Sequence, residues 1–356
     1  MKINHNYFAQ LAFNLAENHL GQTSQNPSVG CVVVKNNSII SSGVTSINGR
    51  PHAEFNALNK DLNFNNSYLY VTLEPCAYYG ITPPCTDIIK KKNIKKIYYC
   101  FDDPNPKTFR KAKKKLGKKL IKLKIKSFKD NLHFYKSYNL NKEKNLPLID
   151  AKLALSKDYF TINKKSKWIT NFRSRKVAHL LRSKYDCIIS TSESINKDNS
   201  LLNCRIEGLN NFKPDLIIID RYLKLKKKSK LLTISKKRKT FIVTITKNLK
   251  KISFFKKRNI KFILIDKLDK KQDFEKLFRK IYKIGKGRVL IEAGLTFLNK
   301  LLMNKLVNNL YIFKSNISIK KSGYNNSNTN YLKKFKFKKK LDVNLSSDSL
   351  FKVRIR

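Results

Sequence analysis

Three residues in the N-terminal third of the chain have the chemistry to hold a zinc ion. His52 supplies an imidazole, and Cys76 and Cys85 each supply a thiol. Zinc prefers these ligand types, and three protein ligands leave its fourth tetrahedral position open to water. Because zinc lowers the pKa of a bound water from about 15.7 to about 7, the set predicts hydroxide chemistry at neutral pH.

A carboxylate follows the imidazole at a spacing that suits proton transfer. Glu54 lies two residues after His52, where it can carry protons between the hydroxide and a leaving amine. His-x-Glu, then Pro-Cys and a second Cys, is an order typical of zinc-dependent deaminases. The alternative is a chance grouping of an exposed histidine and two structural cysteines. The complete set in the expected order favours the deaminase.

Length and composition indicate a globular protein of two domains. The chain has 356 residues, of which 41% are hydrophobic, and each half is long enough to bury a core. No run reaches the ~18 uncharged apolar residues of a membrane span. The N-terminus lacks the apolar block and cleavage site of a signal peptide. We therefore expect a cytoplasmic protein with no membrane partner.

The net charge of +53 by itself favours a polyanionic partner such as RNA. The lysines are spread along the whole chain, however, and Asn and Ile are abundant as well. This pattern is typical of a bias toward AT-rich codons. We expect no specific nucleic-acid partner, only non-specific attraction at low salt.

Apolar spacing predicts an α/β unit around the metal ligands. We expect a first helix from Tyr7 to near Gly21, strands at 31–34, 39–44, 68–73 and 94–101, and helices at 52–59 and 86–92. His52 and Glu54 then lie in the first turn of a helix that faces Cys76 at a strand end.

A polar segment closed by proline, residues 140–147, predicts the boundary between domains 1–145 and 146–356. Beyond it, strands and helices alternate, which predicts a second α/β sheet. The predicted strands are 148–155, 186–189, 216–219, 241–245, 262–265 and 288–291, with helices at 174–184, 271–282 and 296–305 and terminal strands after residue 333.

Five motifs in the first domain resemble those of bifunctional riboflavin-biosynthesis deaminase/reductases. They are Asn26-Pro-Ser-Val-Gly-Cys, Pro51-His-Ala-Glu, Val71-Thr-Leu-Glu-Pro-Cys, Gly80-Ile-Thr-Pro-Pro-Cys and Asp103-Pro-Asn-Pro. The resemblance implies a three-layer cytidine deaminase-like fold, with zinc on His52, Cys76 and Cys85 and with Glu54 as proton donor. The eight residues between the two cysteines differ from the Pro-Cys-x-x-Cys of tRNA and cytidine deaminases.

Without the family resemblance, the residues of the second domain say less about its function than those of the first. It has no Gly-x-Gly-x-x-Gly fingerprint. Glu292-Ala-Gly294 suits either a phosphate or ribose site or a plain strand-to-helix turn. Trp168 is either a core residue or a stacking plate, and the guanidinium groups of Arg182 and Arg205 suit a ribose phosphate.

The resemblance goes further, through the segments 152–158, 166–170, 180–182, 198–205 and 292–296. These look like the reductase half of the family, which has a dihydrofolate-reductase-like α/β fold and uses NADPH. The resemblance implies NADPH contacts at Ala154, Trp168, Ser194, Asp198, Gly294, Leu295 and Thr296. It implies substrate contacts at Ser166, Arg182, Leu202, Arg205 and Glu292.

Several positions depart from the family pattern. Tyr78 and Ile81 replace a His and an Arg in the loop between the cysteines, and Tyr159-Phe160 replaces Gly followed by a basic residue. Asn199-Ser200 replaces Asp-Pro, and Leu295 replaces Pro.

The resemblance implies two consecutive steps of riboflavin synthesis. A phosphorylated diaminopyrimidinone riboside is deaminated, and NADPH then reduces its ribosyl group to ribityl; a homo-oligomer built through the reductase domains is expected. One alternative is a tRNA base deaminase, favoured by charge and opposed by the cysteine spacing. A second is a non-catalytic, zinc-stabilised RNA-binding protein in which Glu54 is incidental.

Replacement of a metal ligand tests whether the two domains are independent. We expect Cys76→Ala to lose zinc and deamination, because two ligands hold the ion poorly, while the reductase domain stays folded. Zinc content, ammonia release and NADPH oxidation are the measurements. Loss of both activities together would contradict two independent domains.

Overall fold

The chain folds into two compact units, residues 1–146 and 147–356. The structure is a computed structural model that describes residues 3–124, 131–209, 214–335, 337 and 340–356. Each unit contains its own sheet and its own buried core. No helix within the described ranges is both long enough and apolar enough to span a membrane.

The first unit is built on a mixed five-stranded sheet in the order β2-β1-β3-β4-β5. β1 is antiparallel to β2 and β3, whereas β3, β4 and β5 are parallel. Its elements are α1 (His5–Asn18), β1 (Gly30–Lys35), β2 (Ser38–Val44), α2 (Ala53–Leu58), β3 (Tyr68–Leu73), α3 (Cys85–Lys91), β4 (Lys96–Phe101), α4 (Ala112–Leu116), β5 (Leu120–Lys122) and α5 (Lys136–Lys144).

Successive side chains of β1 point to opposite faces of the sheet. Helices pack against both faces, as expected for a three-layer fold. Val32 and Val34 pack in one core with Phe8 of α1. Cys31 and Val33 point to the opposite face, into a core that includes Ala53 and Ala57 of α2. The hairpin between β1 and β2 turns at Asn36 and Asn37, which both have positive φ, a conformation that asparagine tolerates well.

The second unit is built on an eight-stranded sheet in the order β11-β10-β9-β8-β12-β6-β13-β15. All neighbours are parallel except the antiparallel pair β13 and β15. The elements are β6 (Leu148–Leu155), β7 (Ile162–Asn163), α6 (Phe172–Ser183), β8 (Cys187–Thr191), α7 (Ser192–Asp198), β9 (Asp215–Ile219), β10 (Thr240–Thr244), α8 (Leu249–Lys256), β11 (Ile260–Leu264), α9 (Lys271–Lys283), β12 (Arg288–Ile291), α10 (Leu295–Met303), β13 (Asn309–Lys314), β14 (Gly323–Tyr324), α11 (Asn330–Lys333) and β15 (Ser349–Arg354). β7 pairs with β14 outside the main sheet.

The expected alternation of strands and helices is confirmed; elements such as α5 and β13 were not predicted, and the expectation for the C-terminal tail was wrong. The polar segment before Pro147 is mostly helical, since α5 continues to Lys144 and ends at Asn145 in the left-handed conformation. The lysines and glutamate of this segment are good helix formers, although its polar composition had suggested only a boundary between domains. β13 was not predicted at all.

The third difference concerns the C-terminal tail, where several strands were expected. The described part of the tail after residue 334 holds one strand, β15, and a single bridge from Lys340 to Phe351. Leu345 packs in a small core with Ala178 of α6, and Leu341 packs against that core. Before β15, therefore, Leu345 and Leu341 contribute mainly side-chain packing.

Gly43 sets how closely α2 approaches β2. A Cβ at this position would lie 2.3 Å from the carbonyl oxygen of Ala53 and 2.5 Å from the backbone nitrogen of Ala57. Both contacts are with backbone atoms, which cannot rotate away. Any side chain at this position must therefore displace α2, the helix that carries Glu54.

We expect Gly43→Ala to lower the free energy of unfolding by about 1–3 kcal/mol, the usual range for overpacking, and to weaken zinc retention. Urea unfolding and metal analysis of the purified protein check this. Ser38→Ala, at the exposed start of the same strand, is the matched control and should be nearly neutral. Equal stability of the two variants would contradict the close packing of α2.

Candidate functional site

The three predicted metal ligands come from three different elements and meet at one point. His52 immediately precedes α2, Cys76 follows β3, and Cys85 is the first residue of α3. The Nδ1 atom of His52 lies 3.6 Å from Sγ of Cys76 and 3.4 Å from Sγ of Cys85. All three ligand atoms lie within 4.8 Å of one another.

These separations suit a tetrahedral zinc ion. Zinc bonds of about 2.05 Å to nitrogen and 2.3 Å to sulfur would place the nitrogen about 3.6 Å from each sulfur. The observed nitrogen–sulfur distances of 3.6 and 3.4 Å are close to this value. The donor set and its spacing therefore fit the metal that the sequence predicts.

Local hydrogen bonds prepare the Cys76 thiol to bind a cation. The Cys85 thiol, the His52 side chain and the backbone N–H of Cys85 all donate toward Cys76 and lower its pKa, although burial opposes them. The same thiol–thiol hydrogen bond and burial raise the pKa of Cys85. The backbone N–H lies 3.2 Å from the Cys76 sulfur. These hydrogen bonds favour the thiolate form of Cys76, which is the form that binds a metal.

Glu54 lies in the first turn of α2 with only 4% of its surface exposed. Burial, followed by the negative charge of Cys76, raises the pKa of Glu54 to about 7. A carboxyl group in this range can both accept and donate a proton at neutral pH, which is what a proton carrier needs. The structure thus places the predicted acid–base residue beside the predicted metal ligands.

Glu74 has a positioning role that sequence analysis missed. Its buried carboxylate accepts hydrogen bonds from the backbone N–H groups of Arg110 at 2.9 Å, Ala112 at 3.2 Å and Asp103 at 3.4 Å. Glu74 thereby ties the loop after β4 to the end of β3, next to Cys76. A glutamate directly before Pro-Cys at a strand end was the available signal, and its backbone partners were invisible in the sequence.

In the second unit, two predicted substrate residues bind each other. Arg182 of α6 donates from Nε to Oε1 of Glu292 at 2.6 Å and from Nη2 to Oε2 at 2.9 Å. Lys152 of β6, whose role the sequence did not reveal, lies 3.5 Å from the same carboxylate. Burial opposes ionisation, yet Arg182 and Lys152 lower the pKa of Glu292 to about 2.

Arg205, the second predicted phosphate-binding arginine, is exposed. Its Nη1 donates to the side chain of Asn203 at 2.7 Å, and its backbone N–H donates to His179 at 3.1 Å. Burial, then the charges of Arg182 and Arg205, lower the pKa of His179 to about 4. Arginine stays protonated at pH 7, so the exposed guanidinium of Arg205 can offer its charge to an anion. Leu202, predicted beside it, is buried and has positive φ.

Four of the seven residues predicted to contact NADPH, namely Ser194, Gly294, Leu295 and Thr296, lie where α7 and α10 begin, whereas Asp198 is the last residue of α7. The backbone N–H of Gly294 donates to Oγ of Ser194 at 2.9 Å, and a Cβ on Gly294 would lie 3.4 Å from that oxygen. Leu295 is buried, so its side chain packs in the core, while Thr296 is exposed. The nine-residue helix α10 starts here, and its free N–H groups suit a phosphate.

A second group of predicted residues lies on the loop that precedes α6. Trp168 is 51% exposed, and the Arg175 guanidinium lies 4.6 Å from its ring centroid. The Ser166 hydroxyl accepts the backbone N–H of Trp168 at 3.2 Å. Lys167 donates to the backbone oxygen of Asp198 at 3.4 Å and so connects this loop to α7. Trp168 is thus a surface residue, available for stacking, and not a core residue.

Ala154 stands apart from both groups. It is half-buried on β6, two residues after Lys152. Its neighbour across the strand pair is Phe313 of β13. The structure therefore places it on the main sheet, on the strand that also presents Lys152 to Glu292.

Two family models match this chain. Residues 2–101 match the cytidine and deoxycytidylate deaminase zinc-binding region, and residues 149–316 match the RibD C-terminal domain. The predicted order of a cytidine deaminase-like domain followed by a second α/β domain is confirmed, and the second domain matches the C-terminal domain of the RibD family.

Curated relatives match over most of their length. The chain is 33% identical over 323 residues to riboflavin biosynthesis protein RibD of Buchnera aphidicola, covering 86% of each chain. It is 30% identical over 312 residues to RibD of Actinobacillus pleuropneumoniae, covering 86% of this chain and 82% of that one. It also resembles the crystal structure of a diaminohydroxyphosphoribosylaminopyrimidine deaminase/5-amino-6-(5-phosphoribosylamino)uracil reductase from Thermotoga maritima, with a TM-score of 0.82, 26% identity and 99% coverage of both chains.

The pair formed by Arg182 and Glu292 predicts a pH dependence of stability. The pKa of Glu292 is lower in the folded protein than its ordinary value of 4.5. Ionised Glu292 therefore favours folding above pH 4.5, and this stabilisation is lost as the pH falls from 4.5 to about 2. We expect Glu292→Gln to lower the free energy of unfolding at pH 7 by roughly 3–5 kcal/mol, because Arg182 is left buried without its partner.

Urea unfolding at several pH values checks this prediction. Trp168 is the only tryptophan of the chain, so its fluorescence reports on the second unit. Glu207→Gln, at an exposed position of the same unit, is the control and should follow the wild-type profile. If wild type and Glu292→Gln lose stability in parallel as the pH falls, the pair contributes nothing.

Proposed function

Since the chain belongs to the RibD family of bifunctional riboflavin-biosynthesis deaminase/reductases, we propose that its two units act in turn on one phosphorylated pyrimidine. The enzyme is a zinc-dependent deaminase and an NADPH-dependent reductase. Its proposed substrate is 2,5-diamino-6-ribosylamino-4(3H)-pyrimidinone 5′-phosphate. The cluster of potential zinc ligands, His52, Cys76 and Cys85, beside Glu54 is the observation that carries the proposal for the first step.

In the first step, an amino group on the pyrimidine ring is exchanged for oxygen and leaves as ammonia. Zinc held by His52, Cys76 and Cys85 would supply an activated water. Glu54 takes a proton from the water and delivers it to the departing amine. Its burial serves this role because its pKa of about 7 lets the carboxyl group load and unload a proton in each turnover.

In the second step, the ribosyl group is reduced and opened to a ribityl chain. NADPH would supply the hydride. The N–H groups at the start of α10, beside Ser194, are positioned to hold a cofactor phosphate, and exposed Trp168 offers a ring for stacking. Arg205 offers an exposed guanidinium to the substrate phosphate, while Glu292 orients Arg182 and Lys152.

The rival functions have less support. The eight residues between Cys76 and Cys85 argue against a tRNA base deaminase, and so do relatives whose names specify riboflavin biosynthesis. A non-catalytic RNA-binding protein would not need a buried glutamate beside the metal ligands. We propose that the protein has no specific nucleic-acid or membrane partner, acts in the cytoplasm and forms a homo-oligomer through its second unit.

Turnover of the diaminopyrimidinone ribosyl phosphate by zinc-loaded protein tests the proposal directly. We expect ammonia release without NADPH, followed by NADPH oxidation once the deaminated product is present. Ammonia release without any NADPH oxidation would mean that the second unit is not an active reductase. If no ammonia is released, the proposal fails, and tRNA becomes the substrate to test.

Glu54→Gln separates catalysis from metal binding. We expect it to retain zinc and to release ammonia about 10²–10⁴-fold more slowly, because the proton carrier is lost. NADPH oxidation with the deaminated product serves as the internal control and should be unchanged. Unchanged ammonia release would instead support the non-catalytic zinc protein.

A further inference from the structure

The loop between the two cysteine ligands has no charged side chain. Residues 77–84 read Ala-Tyr-Tyr-Gly-Ile-Thr-Pro-Pro. Tyr79 is 73% exposed and Ile81 is 88% exposed, so apolar groups occupy the outer part of the loop. A phosphorylated substrate that reaches the metal ligands must therefore find its positive partner on another element.

Arg50 brings a guanidinium group to this loop from the other side of the site. It lies two residues before His52 and is half-buried. Its Nη1 donates a hydrogen bond to Oγ1 of Thr82. Its Nη2 lies 3.7 Å from the position that a Cβ on Gly80 would occupy. The guanidinium group thus lies between the segment that carries His52 and the loop that connects the two cysteines.

The charge of Arg50 is uncompensated. Within the described ranges of the chain, no carboxylate oxygen lies within 4.0 Å of its guanidinium nitrogens, and Thr82 is its one hydrogen-bond partner. Removing a cation from water without a counter-ion is unfavourable, so an anion here would be stabilised. The planar fork of arginine matches the oxygens of a phosphate, and most of its five N–H donors are unused.

Other cations of this unit are less suited to the role. Lys115 is paired with Asp87 at 3.2 Å. The Arg110 guanidinium stacks on the ring of Phe109 at 4.9 Å from its centroid. Lys111 is exposed, where solvent screens its charge. Arg50 alone among these four is half-buried, next to a metal ligand and free of an acidic partner.

We propose that Arg50 binds the phosphate of the pyrimidine riboside at the zinc site and makes this site prefer phosphorylated substrate. Thr82 is a positioning residue that holds the guanidinium in place. This inference rests on the proposed function, because it assumes that the zinc site deaminates a ribosyl phosphate.

The test compares the phosphorylated pyrimidine riboside with its dephosphorylated form, with ammonia release measured in the absence of NADPH. We expect Arg50→Gln to raise KM for the phosphorylated substrate by about 10- to 100-fold, equivalent to about 1.4–2.8 kcal/mol. KM for the dephosphorylated riboside should not change. Arg50→Lys should produce a smaller rise, because it keeps the charge and loses the fork.

Two further variants guard against a purely structural effect. Thr82→Val keeps the charge and removes its tether, so we expect a small rise in KM confined to the phosphorylated substrate. Lys111→Gln removes an exposed cation from the same unit and should leave both KM values unchanged. Zinc content and NADPH oxidation with the deaminated product should match wild type in all four variants.

Each other outcome overturns the inference. A proportional loss with both substrates, or an unchanged preference, would show that Arg50 supports the loop and does not bind phosphate. Loss of the preference in Lys111→Gln and not in Arg50→Gln would assign the phosphate to Lys111. If wild type itself releases no ammonia from the phosphorylated substrate, the proposed function fails and the inference fails with it; turnover with an unchanged preference sinks the inference alone.

Discussion

Close backbone packing between α2 and β2 is the constraint on which the metal site depends. Gly43 allows the contact, and two side chains secure it: the Ser41 hydroxyl donates to the backbone oxygen of Ala57 at 2.6 Å, and the Asn56 amide donates to that of Val44 at 2.7 Å. α2 has only six residues, too few for a stable helix in isolation. Tertiary contacts therefore hold His52 and Glu54 in place.

In the second unit, an ion pair holds site residues in place, whereas in the first unit close backbone packing does so. The bidentate pair of Arg182 and Glu292 joins α6 to the end of β12, and Lys152 adds β6 to the same network. Removing one partner of a buried ion pair is strongly destabilising. Replacing the whole pair by well-packed apolar residues is often neutral, so the pair adds little net stability. Its value lies in fixing the direction of charged groups at the site that we propose binds an anionic ligand.

The distribution of acidic residues clarifies the large positive charge. The chain has 24 acidic residues against 77 basic ones, and yet many acids that remain are buried. These are Glu54, Glu74, Asp103, Asp150, Asp220, Asp273, Glu292 and Asp348. Several hold the fold together; Asp220, for example, accepts the backbone N–H groups of Lys224 and Leu225. The excess of lysine has accumulated around a conventional interior, as a compositional bias would produce.

The sequence by itself determined the donor set, the order of elements and several strand bounds. β3, β6 and β12 begin and end at the predicted residues because each is an apolar run bounded by polar or turn residues. His52, Glu54, Cys76 and Cys85 were identifiable because zinc chemistry restricts which residue types serve. Only the tertiary structure decided that Glu292 orients Arg182, that Glu74 ties a loop, and that β13 completes the sheet. These contacts join residues far apart in the chain, 110 positions for Arg182 and Glu292, and local patterns carry no information about such partners.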